Sequence, residues 1–332
     1  MSHNSVNLSK VANHWSKNEP VEDEGKFYMS PITRPYIIET AYGKDLVDEY
    51  KEDRYYAENI FINKYLKHKQ VESMLSLCCG FGSLERHFVS KLPNVKSCHG
   101  VDVAEGALDV ARKKATSEGL QNISYECADL NNYNWKKDKY DLVVANGALH
   151  HLSNLEEVLE RIRYTLKPDG ILYACEYVGP SYQDHTIRQL EIINAAAFLV
   201  PPELRARKGI AYFNERIFRL ISGIYMVAAI EKIPEQWEWP QWKKNIERIL
   251  KRILHRNKND FNFGTVFISP KPYLLRTDPS ECVRSSEIIP LVKDIYSNAK
   301  IRPIGGGGYC NMPLIGIFIC ALIKAIPYIQ RA

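Results

Sequence analysis

Gly80 and Gly82 close the short apolar run at 74–77 and lead into residues with helical spacing. A strand, a glycine turn and a helix bring backbone N–H groups up to a nucleotide-like ligand, and a Cβ at either glycine would obstruct the approach. Asp102 ends a second apolar run at about the 20-residue spacing from which a carboxylate reaches ribose hydroxyls. Asp129 lies at the end of a third, in 124–130. A fourth, 140–146, runs straight into Gly147-Ala148-Leu149-His150-His151. Two histidines therefore stand at the carboxyl end of a strand, where open α/β sheets hold their ligands. Histidine titrates near neutrality and can take a proton from an attacking hydroxyl or amine, which makes His151, and after it His150, a candidate proton acceptor. Glu176 and Tyr177 end a fifth strand and are expected to face the same crevice, with hydrogen bonds to offer a substrate.

Residues 59–180 alternate strands with helices of ordinary length, the pattern of a parallel sheet. Ser153 followed by Glu156 is a capping box and predicts a helix over about 154–166. Asp278-Pro279-Ser280-Glu281 predicts another helix start, with an N-cap acid, proline in the first position and a capping glutamate. That box accounts for Glu281 without any substrate. A sixth strand is expected at 300–304. The apolar run at 312–329 is expected to complete the fold, because Pro313, Lys324 and Pro327 argue against a membrane span. The expected organisation is an N-terminal helical lid (1–58, bearing Trp15, Tyr28 and Tyr36), a core (59–180), a helical cap insertion (181–270) and a C-terminal completion of the core (271–332).

The glycine turn, the acid-ended second strand, Ala128-Asp129, Leu149-His150-His151 and Leu166-Lys167-Pro168-Asp169-Gly170 together resemble the class I S-adenosylmethionine-dependent methyltransferases. The resemblance is good over 60–180 and looser over 270–305. It implies a Rossmann-like α/β fold with a seven-strand-type sheet, S-adenosyl-L-methionine as cofactor, and methyl transfer to oxygen or nitrogen of a small or conjugated acceptor. Sugar, glycolipid, polyketide and modified peptide are all compatible acceptors. It also implies that Cys79, Gly80, Gly82, Asp102, Val103, Leu130 and Asn146 meet the cofactor, and that Asp129 accepts from its adenine amino group. The family usually has an acid where Ser76 stands and a glycine where Cys78 stands; Glu85, early in the next helix, is the expected substitute for the acid. A catalytically inactive methyltransferase-like scaffold is the alternative that these two departures suggest.

The 332 residues carry a net charge of +5, with 45% hydrophobic and 25% charged residues, ordinary for a soluble globular chain. Among the eight cysteines no pair has C-x-x-C spacing, so no metal is expected, and free thiols in a reducing, cytoplasmic setting are. The start of the chain is polar and has no apolar signal region. The positive charge is local: residues 243–258 hold seven lysines and arginines against Glu247 alone. Trp242, Ile246, Ile249, Leu250, Ile253 and Leu254 share the opposite helical face. Over 237–258 this reads as an interfacial helix for an anionic membrane, hence a second alternative, a membrane-surface interaction protein. No motif for nucleic acid accompanies the charge, and no nucleic-acid partner is expected.

Overall fold

The structure, a computed structural model, describes residues 7–17, 34–184, 271–303 and 318–324. The basic segment at 237–258, nearly all of the expected cap, Tyr28 and the glycine run at 305–308 lie outside the described residues. The chain forms two compact units, Met1–Leu190 with Val266–Ala332, and Glu191–Thr265. All that follows concerns the first.

Five parallel strands form the sheet: β1 (Ser73–Leu77), β2 (Ser97–Asp102), β3 (Ile123–Cys127), β4 (Tyr140–Asn146) and β5 (Leu166–Tyr177), in the order 3-2-1-4-5. The central strands read as continuous apolar runs because both their faces are covered. Met74, Leu142, Val144 and Tyr173 face one core, and Leu75, Leu77, Val143 and Leu172 face the other. Leu166-Lys167-Pro168-Asp169-Gly170 is a register shift: Tyr140 pairs with Leu166 and Leu142 with Ile171, so the intervening residues loop out of the ladder. Beyond β5 the backbone of β7 (Phe318–Lys324) pairs antiparallel with β5 and with β6 (Lys300–Pro303).

The described α-helices of six or more residues are α1 (Leu8–Lys17), α2 (Arg34–Ala41), α3 (Tyr56–Phe61), α4 (Ser83–Lys91), α5 (Glu105–Ser117), α6 (Leu155–Thr165), α7 (Lys271–Thr277) and α8 (Ile288–Ile295). None is long and apolar enough to cross a membrane. Helix α6 lies where the sequence predicts it, but no side chain caps it. Glu156 instead receives both guanidinium nitrogens of Arg284.

The predicted helix at Asp278 is absent. Asp278 follows the end of α7, and its Oδ1 accepts from Ser280 N (3.0 Å) and Ser280 Oγ (2.6 Å). Cys282 then takes a left-handed φ of 53°, which stops any helix. An Asx turn makes the same local bonds as an N-cap, so the pattern alone does not separate them.

Candidate active site

The strand order reverses between β1 and β4. Ligands of open α/β sheets sit at such a switch, outside the carboxyl ends of the strands. The loop after β1 carries Cys78 to Gly82, and the loop after β4 carries Gly147 to His151, so the two candidate groups are neighbours by topology.

The first loop is built by backbone. Cys78, Gly80 and Gly82 all have left-handed φ, of 48°, 52° and 68°. A side chain in that region costs about 1–2 kcal/mol, so Cys78 bears the strain of a conformation the family normally gives to glycine. The two glycines do different things. A Cβ on Gly80 would meet nothing within 4 Å, so its outer face is open. A Cβ on Gly82 would lie 2.3 Å from Tyr125 Oη and 2.9 Å from Ala111 Cβ. Gly82 therefore clears room for the protein's own packing, which corrects the expectation that it clears room for a ligand.

Asp102 fixes this loop. Its Oδ2 accepts from Gly80 N (2.9 Å) and its Oδ1 from Ala104 N (2.8 Å). Burial pushes its carboxyl above the usual range, opposed by those backbone bonds and by the charge of His151. Each carboxylate oxygen keeps a lone pair for a hydroxyl. Ser76 and Glu85 meet beneath α4: the serine hydroxyl donates to Glu85 Oε1, while Glu85 Oε2 is buried with no partner. Burial pushes Glu85 up to about 7, partly offset by the Ser76 hydroxyl. Asp129 is engaged in its own turn, accepting from Asn131 N (3.0 Å), Asn131 Nδ2 (2.6 Å) and Asn132 Nδ2 (2.9 Å). Leu130 is buried in the core, whereas Asn146, at the end of β4, is exposed.

The second group is built by side chains. Glu176 is 1% exposed and fully used. Its Oε1 accepts from Ala148 N and Leu149 N, both at 2.8 Å, and its Oε2 lies 2.8 Å from His150 Nδ1. Strand residues alternate between faces, yet at the end of β5 both neighbours meet one imidazole: the Tyr177 ring lies edge-on to His150, 6.4 Å between centroids. Tyr177 packs in the opposite core and donates to Pro180 O (3.4 Å). Glu176 thus positions the histidine loop, and Tyr177 is buried with its ring against His150. His150 is buried; burial lowers its pKa, but the Glu176 hydrogen bond and charge outweigh that and raise it. His151 is held below its ordinary value by burial and by the neighbouring His150 charge, against the pull of Glu281 and Asp278.

His151 is surrounded by residues from far along the chain. Its Nδ1 lies 3.0 Å from Ser280 Oγ, and its Nε2 lies 3.9 Å from Glu281 Oε2. Trp15 packs edge-on against the imidazole at 5.7 Å and donates from Nε1 to Asp278 Oδ2 (2.9 Å). The sequence reading misses Asp278 and Ser280 and sets Glu281 aside as a cap. Trp15 it names only as an aromatic able to close over the site.

Residues 74–170 match a family model described as a methyltransferase domain. A 145-residue stretch is 23% identical to the uncharacterised methyltransferase YcgJ of Bacillus subtilis, covering 43% of this chain and 56% of that protein. The match to the 2-phytyl-1,4-naphtoquinone methyltransferase of a Nostoc species is 22% over 171 residues, 51% of this chain and 75% of that one. Aklanonic acid methyltransferase DauC from a Streptomyces species is 25% identical over 166 residues, 50% of this chain and 62% of that one. The chain thus spans little more than half the length of YcgJ. The solved YcgJ structure aligns at a TM-score of 0.35 with 15% identity, over 80% of this chain and 94% of that one, a likeness too low to carry weight. By this match the segment 74–170 is similar to methyltransferase domains, and S-adenosylmethionine is the cofactor expected of such a domain.

Proposed function

We propose that the protein transfers the methyl group of S-adenosylmethionine to an oxygen or nitrogen of a small or conjugated acceptor. The observation that carries this reading is Asp102, at the end of β2, binding the Gly80 amide beside the open face of that glycine. The residues present fit the cofactor in three respects. Gly80 leaves space, Asp102 keeps lone pairs for ribose hydroxyls, and Glu85 Oε2 is an unspent buried acceptor for the methionine ammonium. Cys79, Val103, Asp129, Leu130 and Asn146 complete the proposed lining.

When bound, the cofactor supplies a methyl group on a sulfonium, open to in-line displacement. The chain's own contribution is orientation and water exclusion, which supply much of the rate. His151 takes the acceptor's proton at Nε2. Ser280 donates its hydroxyl proton to Asp278, so Ser280 Oγ accepts from His151 Nδ1–H and leaves the Nε2 lone pair available. His150 stands behind it, held by Glu176.

Naphthoquinone and aklanonic acid in the names of two relatives favour a small-molecule acceptor. A sugar- or lipid-linked acceptor, met at the inner face of a membrane through 237–258, is the finer proposal and rests on sequence alone. The reading further takes the sheet as the seven-strand type, supported by the antiparallel pairing of β6 and β7, with lid and cap at 1–58 and 181–270. The inactive-scaffold alternative loses its main support, because Cys78 adopts the left-handed φ and Glu85 brings a carboxyl to Ser76.

Calorimetric titration with S-adenosylmethionine tests the core of the proposal. Asp102→Ala should weaken binding by about 1.5–3 kcal/mol, the scale of a hydrogen bond to a charged group. A wild-type protein that binds no cofactor would remove the enzyme reading and leave the scaffold and membrane-surface readings.

A further inference from the structure

His150, His151 and Glu281 each offer one ligand atom, and these atoms lie within 4.8 Å of one another. The hydrogen bonds around them determine what those atoms are. Glu176 accepts two backbone N–H bonds and so behaves as a carboxylate; His150 Nδ1 donates to it, so Nε2 is the nitrogen at which a cation would displace the ring's second proton. The Asp278–Ser280 bond fixes His151 in the same tautomer. Glu281 Oε1 is occupied by Cys282 Sγ (3.0 Å) and Gln183 Nε2 (3.4 Å), so Oε2 is the oxygen left toward His151. The second nitrogen of each imidazole and the Oε2 of Glu281 are thus the atoms not engaged by the hydrogen bonds just described. Two imidazoles and a carboxylate grouped within 4.8 Å are joined by a proton or by a cation.

We propose that His150, His151 and Glu281 bind one divalent cation of the zinc, cobalt or nickel kind. Two imidazoles and one carboxylate suit those ions better than magnesium or calcium, and three protein ligands leave a fourth position open. Metal–ligand bonds of about 2.0–2.2 Å require the side chains to close by roughly 1 Å, a rotamer adjustment. The outer partners of a metal site are already present, with Glu176 on His150 and Ser280 with Asp278 on His151. The site was invisible in sequence because Glu281 reaches the histidines only through the turn after α7. The inference goes beyond the methyltransferase reading in one respect and rests on it in another. The cation takes the lone pair with which His151 would accept the acceptor's proton, so a loaded site silences that step.

The full-length protein, stripped with a chelator and dialysed, is titrated with Zn2+ by calorimetry and with Co2+ by visible absorption. One equivalent should bind, and Co2+ should show the absorption of a nitrogen-ligated, low-coordinate site. Glu281→Gln and His150→Ala should each remove that absorption and weaken Zn2+ by more than about 100-fold; Glu176→Gln, an outer partner, should weaken it by about 10–100-fold. Thermal melts check that each variant is folded, and His150→Asn serves if His150→Ala is not. No tight equivalent in the wild type, or an equivalent undiminished in Glu281→Gln, overturns the proposal. The same metal-free samples are titrated with S-adenosylmethionine. Cofactor binding without Zn2+ binding sinks only the cation site, and Zn2+ binding without cofactor binding sinks only the methyltransferase reading.

Discussion

The two halves of the site are made differently. The proposed cofactor half is a backbone structure: one loop with three left-handed residues, pinned by Asp102 through the Gly80 amide. The acceptor half is a side-chain structure, in which His151 is oriented by a serine, two acids and a tryptophan from the turn after α7 and from α1. A backbone-built site tolerates few residue types at few positions. A side-chain-built site can change its chemistry one substitution at a time, as suits a fold that hosts many acceptors.

That contrast breaks if the glycines of the first half prove interchangeable. Gly82→Ala should destabilise the protein by about 2–5 kcal/mol, combining the left-handed penalty with overpacking against Tyr125 and Ala111. Gly80→Ala should cost only the backbone part, about 1–2 kcal/mol, yet lose cofactor affinity. Chemical denaturation and calorimetry on both variants separate stability from binding. In the second half, His151→Ala should lower turnover roughly 100-fold once an acceptor is recovered from co-purified metabolites. An unchanged rate with an unchanged pH profile would assign the imidazole to packing.

The acid–base behaviour of Glu85 sharpens the comparison further. Its folded pKa, about 7, lies above the ordinary value of 4.5. The stability it contributes is therefore present below the unfolded value and lost as pH rises through 7. Cofactor affinity should run the other way, falling up to about tenfold per pH unit below 7 as the carboxyl protonates. Glu58, also pushed to about 7 by burial, adds to the stability trend. The difference between wild type and Glu85→Gln isolates the site: melting curves and titrations at about pH 5.5 to 8.5 should lose both slopes in part. The smallest effect expected is that of Trp15→Phe, which keeps a ring on His151 but drops the bond to Asp278. It should cost about 0.5–1.5 kcal/mol in denaturant unfolding.

The strands, the glycine turn and the acid that ends β2 were legible because their signals are local. Strand, turn and acid recur at fixed spacing, and the register shift before Ile171 is visible as a proline–glycine turn. What misled were positions where one local pattern serves two structures. Asp278-Pro279-Ser280-Glu281 satisfies a helix cap and an Asx turn equally, and only the left-handed Cys282 decides between them. Glu176 and Tyr177 both meet His150, but the oxygens of Glu176 are spent on the histidine loop, which the strand pattern does not show. The partners of His151 could not be read at all. The approach of α1, the turn after α7 and the end of β4 to one another is set by packing, and nothing in a local window encodes it.

The neighbouring thiols of Cys78 and Cys79 have a consequence for chemical self-protection. A sulfonium is an alkylating agent, and the loop proposed to hold one contains two potential nucleophiles of its own. Only a thiolate attacks efficiently. Burial, reinforced for Cys78 by Asp102 and for Cys79 by Glu85, raises both thiols well above their ordinary range and keeps them protonated. The acids proposed to grip the cofactor thereby also disarm the sulfurs beside it, so that the chain does not become its own methyl acceptor.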